Sequence, residues 1–108
     1  MAIDVETRKP KLGNVTGGLS GPAIRPIAVR MVRQTFQKVN LPLIGVGGIM
    51  TAVDALEFIL AGASAVAIGT ANFIDPKTMI KVKEGIGEYL QRNNIREFKD
   101  LVGSLNLN

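Results

Sequence analysis

Two short apolar runs, each ending in glycine, constrain the fold of this chain more than any other feature. Leu41–Val46 is followed by Gly47-Gly48, and Ser64–Ile68 is followed by Gly69-Thr70. Short runs that are apolar throughout are typical of strands buried on both faces of a parallel sheet. Because a segment with helical spacing separates them, the pattern predicts βα units and an α/β fold.

The segment between the two runs carries its own start and stop signals for a helix. Thr51 is suited to cap its first turn, and Asp54 lies where the helix dipole favours a negative charge. Gly62 is placed to end the helix with a positive φ. The apolar residues with helical spacing form a predicted buried stripe: Ala55, Leu56, Ile59 and Leu60.

The N-terminal third predicts a hairpin and a helix. Within residues 1–16, Ala2–Thr7 alternates apolar and polar residues, and Lys11–Val15 is expected to return as the second strand. The second part of the chain, residues 17–108, begins with a loop. A regular helix is then expected from about Pro26, preceded by an irregular turn. Its solvent side is predicted to carry Arg25, Arg30, Arg33 and Lys38.

The C-terminal third predicts helices. Asn72-Phe73 is expected to begin a short extra helix, and Asp75-Pro76 to start a long one that runs towards Asn93. A short final helix is predicted near Phe98–Leu105. The apolar face of the long helix is expected to contain Met79, Val82, Ile86 and Leu90. With only two core strands, both sheet edges stay unpaired, so we expect these elements to belong to a larger structure.

Composition excludes several classes of function. The 108 residues include no cysteine and no histidine, so disulfides, thiolate chemistry and the commonest general base and metal ligand are absent. The net charge is +4, but lysine and arginine are missing from Val39 to Pro76 and aromatic residues are few, which does not favour nucleic-acid binding. No apolar stretch or signal peptide predicts membrane insertion or export, so we expect a cytoplasmic protein.

The glycines gather where the strands end because that edge of a parallel sheet is where ligands bind. Glycine lets the backbone approach an anion and turn successive N–H groups towards it. Gly47-Gly48 and Gly69-Thr70 are therefore predicted to hold a phosphate, with Gly21 at the same rim. Each glycine pair taken alone is also compatible with a plain tight turn. No residue is predicted to be catalytic or to bind a metal.

Three segments in their order and spacing resemble a known family. GGLSGPAI, GVGGI and AIGTANF are similar to the C-terminal part of dihydroorotate dehydrogenase, most of all the NAD-linked class 1B form. The resemblance implies a (β/α)8 TIM barrel of which this chain supplies a β-hairpin and the last two βα units, incomplete in isolation. It also implies FMN as the cofactor, contacted by Gly21, with its phosphate held by Gly47, Gly48, Gly69 and Thr70.

The family oxidises dihydroorotate to orotate in pyrimidine biosynthesis. The resemblance implies a homodimer with an electron-transfer subunit that carries FAD and a 2Fe–2S cluster. The family's catalytic cysteine and substrate-binding asparagines are expected upstream, so the isolated chain should be inactive. Alternatives are an isolated flavin- or phosphate-binding segment that self-associates through its open sheet edges, or part of another FMN-dependent barrel oxidoreductase.

Overall fold

A computed structural model describes residues 1–108, and its helices and strands alternate from residue 25 to residue 74. The elements are β1 (Ile3–Asp4), β2 (Lys9–Pro10), α1 (Arg25–Phe36), β3 (Ile44–Val46), α2 (Ala52–Ala61), β4 (Ala65–Ala67), α3 (Ala71–Ile74) and α4 (Thr78–Arg92), with 3₁₀ turns at Pro22–Ile24 and Phe98–Leu101. The result is a mixed α/β structure with two separate two-stranded sheets and no closed sheet.

The N-terminal hairpin is present but much shorter than predicted. Ile3 pairs antiparallel with Pro10 and Asp4 with Lys9, so the prediction that Lys11–Val15 forms the return strand is wrong. The reason is the Asp4 side chain, whose Oδ1 accepts the backbone N–H groups of Glu6 and Thr7 at 3.0 Å. This local turn competes with strand pairing and reverses the chain early.

The two apolar runs form one parallel pair, as predicted, but each strand has only three residues. Ile44 pairs with Ala65, Gly45 with Val66 and Val46 with Ala67. The expected burial on both faces is wrong, because Ile44 is 66% exposed and Val46 is 56% exposed. The helices cover only the face that holds Gly45 and Val66.

The core lies between that face and the helices. Phe58 and Ile59 of α2 are its largest fully buried side chains. Of the predicted stripe, Ala55, Leu56 and Ile59 are buried and Leu60 is partly buried, whereas Phe58 was missed. Gly45 lets Phe58 approach β3, because a Cβ at Gly45 would lie 2.7 Å from Phe58 Cδ1. This glycine is required by packing.

The helix boundaries follow the sequence signals closely. The 3₁₀ turn at Pro22–Ile24 precedes α1, as expected, and a complete capping box between Thr51 and Asp54 starts α2. Gly62 ends α2 with a φ of 128°. The long helix begins at Thr78 rather than at Pro76, and the predicted final helix is the 3₁₀ turn that buries Leu101. None of the helices combines the length and apolar character that a membrane span requires.

Two glycines of α4 should respond oppositely to the same substitution. A Cβ at Gly85 would lie 2.5 Å from Ala52 Cβ at the contact with α2, whereas a Cβ at Gly87 would meet nothing within 4 Å. We expect Gly85→Ala to lower the free energy of unfolding by about 1–3 kcal/mol through overpacking. Gly87→Ala should raise it by about 0.5–1 kcal/mol because alanine favours the helix. Urea unfolding of both variants tests this, and effects of equal sign would contradict the packing.

Candidate functional site

One cavity brings together all five residues that the sequence singled out. Its volume is about 290 Å³, and Gly21, Gly47, Gly48, Gly69 and Thr70 all line it. We call it the glycine cavity. Its other lining residues are Leu19, Ser20, Ile24, Val46, Ile49, Met50, Ala67 and Ala71.

Parallel pairing explains why residues far apart in sequence meet here. The loops after β3 and β4 leave the sheet at the same edge, and extending the register beyond Val46–Ala67 brings Gly48 level with Gly69. The loop that contains Gly21 reaches the same edge because it leads into α1, which packs against β3. The cavity is therefore formed by three loops at the edge where β3 and β4 end. The first loop contains Gly21, the second contains Gly47 and Gly48, and the third contains Gly69 and Thr70.

Gly47 and Gly48 are glycines for reasons that lie within the fold. Their φ angles are 128° and 70°, a region that other residues rarely adopt. A Cβ at Gly48 would lie only 2.6 Å from the carbonyl oxygen of Gly21 and 2.9 Å from Arg25 Cβ. Gly48 thus permits the close contact between the first and second loops.

Gly69 differs from the glycines of the second loop. Its φ is not positive, and a Cβ placed on it would meet no atom within 4 Å. Neither backbone strain nor packing within the chain therefore requires glycine at this position. Because Gly69 lines the glycine cavity, a side chain at this position would extend into open space beside it.

Two of the cavity loops carry backbone N–H groups that have no hydrogen-bond partner in the chain. They belong to Gly47, Gly48 and Ile49 of one loop and to Gly69, Thr70 and Ala71 of the other. Further along the same two loops the amides are bonded: Met50 and Thr51 donate to Asp54, and Asn72 donates to the Gly69 carbonyl. The Thr70 hydroxyl makes no capping bond either. Both loops thus present free donors beside the cavity, from which an anion could accept hydrogen bonds.

No ionisable side chain lines the glycine cavity. Its only side-chain polar groups are the hydroxyls of Ser20 and Thr70. An acid–base reaction needs a titratable group within hydrogen-bond reach of the reacting atom. The lining of the cavity therefore offers neutral hydrogen-bond donors and no proton-transfer group.

An ion pair that the sequence did not reveal ties the first two loops together. Asp54 Oδ1 lies 2.5 Å from Arg25 Nη1, while its Oδ2 accepts the N–H groups of Met50 and Thr51 at 2.9 Å. The prediction that Arg25 lies on the solvent side of α1 is wrong, because its side chain is only 29% exposed. Its partner is far away in sequence, so helical spacing alone could not show the pair.

The third loop is held by side chains of its own. Asn72 Nδ2 donates to the carbonyl oxygen of Ile68 at 2.7 Å, and Asn72 Oδ1 is buried without a partner. The short extra helix predicted at Asn72-Phe73 is confirmed as α3. Thr78 Oγ1 then links α3 to α4 by donating to the carbonyl oxygens of Ala71 and Asp75.

Asp75 fixes the turn between α3 and α4. Its Oδ2 lies 2.6 Å from Lys81 Nζ, and its Oδ1 accepts the Lys77 N–H at 2.9 Å. The hydrogen bond from Lys81, followed by that from the Lys77 amide, lowers the pKa of Asp75 below its usual 3.8. Asp4 has a lowered pKa for a different reason, chiefly the Thr7 backbone N–H.

The fold and the cavity together define an α/β protein with a neutral, glycine-lined cavity at the carboxyl ends of parallel strands. Comparison with known proteins gives the family. Residues 1–90 match the family model described as dihydroorotate dehydrogenase. The chain belongs to the dihydroorotate dehydrogenase family.

Individual relatives indicate which branch of the family this chain is similar to. The catalytic subunit of dihydroorotate dehydrogenase B (NAD(+)) from Caldicellulosiruptor bescii is 61% identical over 107 residues, which is 99% of this chain and 36% of that protein. The subunit of the same name from Desulforudis audaxviator is 62% identical over 104 residues, 96% of this chain and 34% of that protein. The chain thus spans little more than a third of the length of these relatives.

Comparison with solved structures points to the same family. Ligand-free DHODH from Eimeria tenella superimposes with a TM-score of 0.77 at 30% identity, over 92% of this chain and 28% of that one. DHODH from the same organism in complex with ferulenol gives a TM-score of 0.76 over 87% of this chain and 26% of that one. The arrangement of α1, β3, α2, β4 and α4 is therefore that of a segment of this family.

The Asp75 turn gives a prediction about pH. Replacing Lys81 with Met removes the main cause of the lowered pKa, so the Asp75 pKa should rise towards its usual value while that of Asp4 stays unchanged. Because the folded-state pKa is depressed, the stabilisation is present above the unfolded-state pKa and is lost as the pH falls through the folded-state pKa. A carboxyl ¹³C NMR titration measures both groups, and an unaltered Asp75 in Lys81→Met would contradict the assigned cause.

Proposed function

We propose that this chain supplies the FMN phosphate site of a class 1B dihydroorotate dehydrogenase. One observation carries the proposal: four unpaired N–H groups, on Gly47-Gly48 and Gly69-Thr70, belong to two adjacent loops around one cavity. A phosphate has three oxygens that accept such hydrogen bonds, and backbone amides are common phosphate ligands.

The residues present fit such a phosphate. Gly69 lacks a side chain where neither strain nor packing requires this, which leaves room for a ligand to approach the backbone. The Thr70 hydroxyl offers a further donor beside the two amides of its loop. Gly21, at a φ of 90° with open space beside it, is the proposed third contact.

The proposed parent architecture is a (β/α)8 barrel, with β3 and β4 as its last two strands. The exposed face of Ile44, Val46, Ala65 and Ala67 supports this, because these residues would point into the interior of a closed barrel. In the isolated chain the same face and the free strand edges are the proposed contacts for self-association.

The activity proposed for the full-length protein is oxidation of dihydroorotate to orotate, a step of pyrimidine biosynthesis, in the cytoplasm. When bound, FMN supplies the hydride acceptor. The catalytic base is proposed to lie outside these 108 residues, which contain neither cysteine nor histidine. The relatives' name, a catalytic subunit of an NAD-linked enzyme, supports a separate electron-transfer subunit, proposed to carry FAD and a 2Fe–2S cluster beside a homodimer.

The phosphate site is tested by titrating the chain into FMN and following flavin fluorescence. We expect saturable binding that inorganic phosphate competes away, and much weaker binding of riboflavin, which has no phosphate. Gly69→Val should weaken FMN binding about tenfold or more, because its side chain enters the cavity. The melting temperature should stay near that of the parent chain, since the position is unstrained and open.

Gly13→Val is the matched control. Gly13 also has open space and no positive φ, but it does not line the glycine cavity. The Gly13→Val variant should bind FMN as the unmodified chain does. Equal affinity of FMN and riboflavin, or equal binding by the two valine variants, would overturn the proposal.

The proposed location of the catalytic base outside this chain gives a further prediction. The purified chain should not oxidise dihydroorotate with FMN present, because no proton-transfer group lines its cavity. A chimera in which this chain replaces the matching 107 residues of the C. bescii catalytic subunit should retain both FMN and activity. Oxidation by the chain alone, or a folded chimera without FMN, would contradict the assignment.

A further inference from the structure

We propose that the Arg25–Asp54 ion pair is a positioning pair that sets the orientation of the Gly47 and Gly48 amides. The proposal rests on the phosphate site proposed above. Neither Arg25 nor Asp54 lines the glycine cavity, so both act on a ligand only through the loop between β3 and α2.

Asp54 holds the C-terminal end of the loop between β3 and α2. The residue is 7% exposed, and its Oδ2 accepts two consecutive N–H groups, from Met50 and Thr51, at 2.9 Å. Those two amides therefore point at the carboxylate rather than into the cavity. The free N–H groups of the loop are the earlier ones, on Gly47, Gly48 and Ile49.

Arg25 holds the loop at two places. Its guanidinium reaches Asp54 Oδ1 at 2.5 Å. Its backbone N and Cβ pack against Gly48, where a side chain would come within 3.1 and 2.9 Å of those atoms. One residue of α1 thus contacts the loop at Gly48 and, through Asp54, at its junction with α2. A buried carboxylate with several charge-assisted bonds gives this arrangement little freedom.

Glu57 is the natural comparison because it meets the same guanidinium. Its Oε2 lies 3.4 Å from Arg25 Nε, an atom that is buried and makes no hydrogen bond. The Glu57 side chain is 43% exposed and bonds to no loop amide. Removing its charge should therefore leave the loop in place.

The other half of the cavity has an independent anchor. The Gly69-Thr70 loop is fixed by the bond from Asn72 Nδ2 to the Ile68 carbonyl oxygen, and no bond joins it to Arg25 or Asp54. Loss of the ion pair should disturb one pair of amides and spare the other. A general loss of stability would not make this distinction.

The test uses ¹H–¹⁵N NMR of the 11.5 kDa chain in two parts. Residual dipolar couplings without ligand report the N–H orientations at Gly47, Gly48, Gly69 and Thr70. A titration with inorganic phosphate then reports which of these amides respond. The variants are Arg25→Met and Arg25→Lys, with Glu57→Gln as the control.

In Arg25→Met we expect altered couplings and lost phosphate shifts at Gly47 and Gly48, unchanged couplings at Gly69 and Thr70, and phosphate affinity reduced about tenfold. Arg25→Lys keeps the charge and should recover part of the affinity, and it serves as the working variant if Arg25→Met does not fold. Glu57→Gln should behave as the unmodified chain.

The two parts of the experiment separate the two proposals. Unchanged Gly47 and Gly48 couplings in a folded Arg25→Met, or equal changes in both loops, would overturn the positioning role. If the couplings change selectively but phosphate does not shift the amides of the unmodified chain, the positioning role is supported and the phosphate site is overturned.

Discussion

The parallel pairing of β3 with β4 determines where every part of the candidate site lies. Parallel strands leave a sheet at the same edge, so one register decides that the loop after Val46 and the loop after Ala67 face each other. An antiparallel pair would send them to opposite ends. The helix between the strands makes the parallel connection possible, and Gly45 lets that helix pack closely through Phe58.

Local signals in the sequence were sufficient for the starts of α1 and α2, the parallel pair and the membership of the cavity, because glycines and caps act on their own backbone. Non-local packing was not predictable from the same signals. Ile44 was expected to be buried because it is apolar, but burial depends on a second layer that residues 1–108 do not provide. Arg25 was expected in solvent because its partner Asp54 lies 29 positions further along, beyond any helical spacing. The hairpin was overextended because alternation of residues does not reveal a competing turn at Asp4.

Membership of the dihydroorotate dehydrogenase family and the geometry of the chain address different questions. The family indicates the chemistry carried by proteins about three times as long. The geometry indicates what these residues can do, which is to present unpaired amides from loops held by separate anchors. The proposed division places anion binding in this segment and the reacting groups elsewhere in the barrel, so affinity and chemistry would be altered by different sets of mutations.

The neutral lining of the glycine cavity has a consequence for how occupancy would depend on acidity. No side chain that lines it gains or loses a proton, so the lining itself contributes no titration to binding. The remaining ionisation is that of the guest, and the dianion of a phosphate monoester takes up one proton at a pH of about 6. Retention of the guest in acid would then be governed by the guest's own charge, and a sulfate, which stays fully ionised, would show no such dependence.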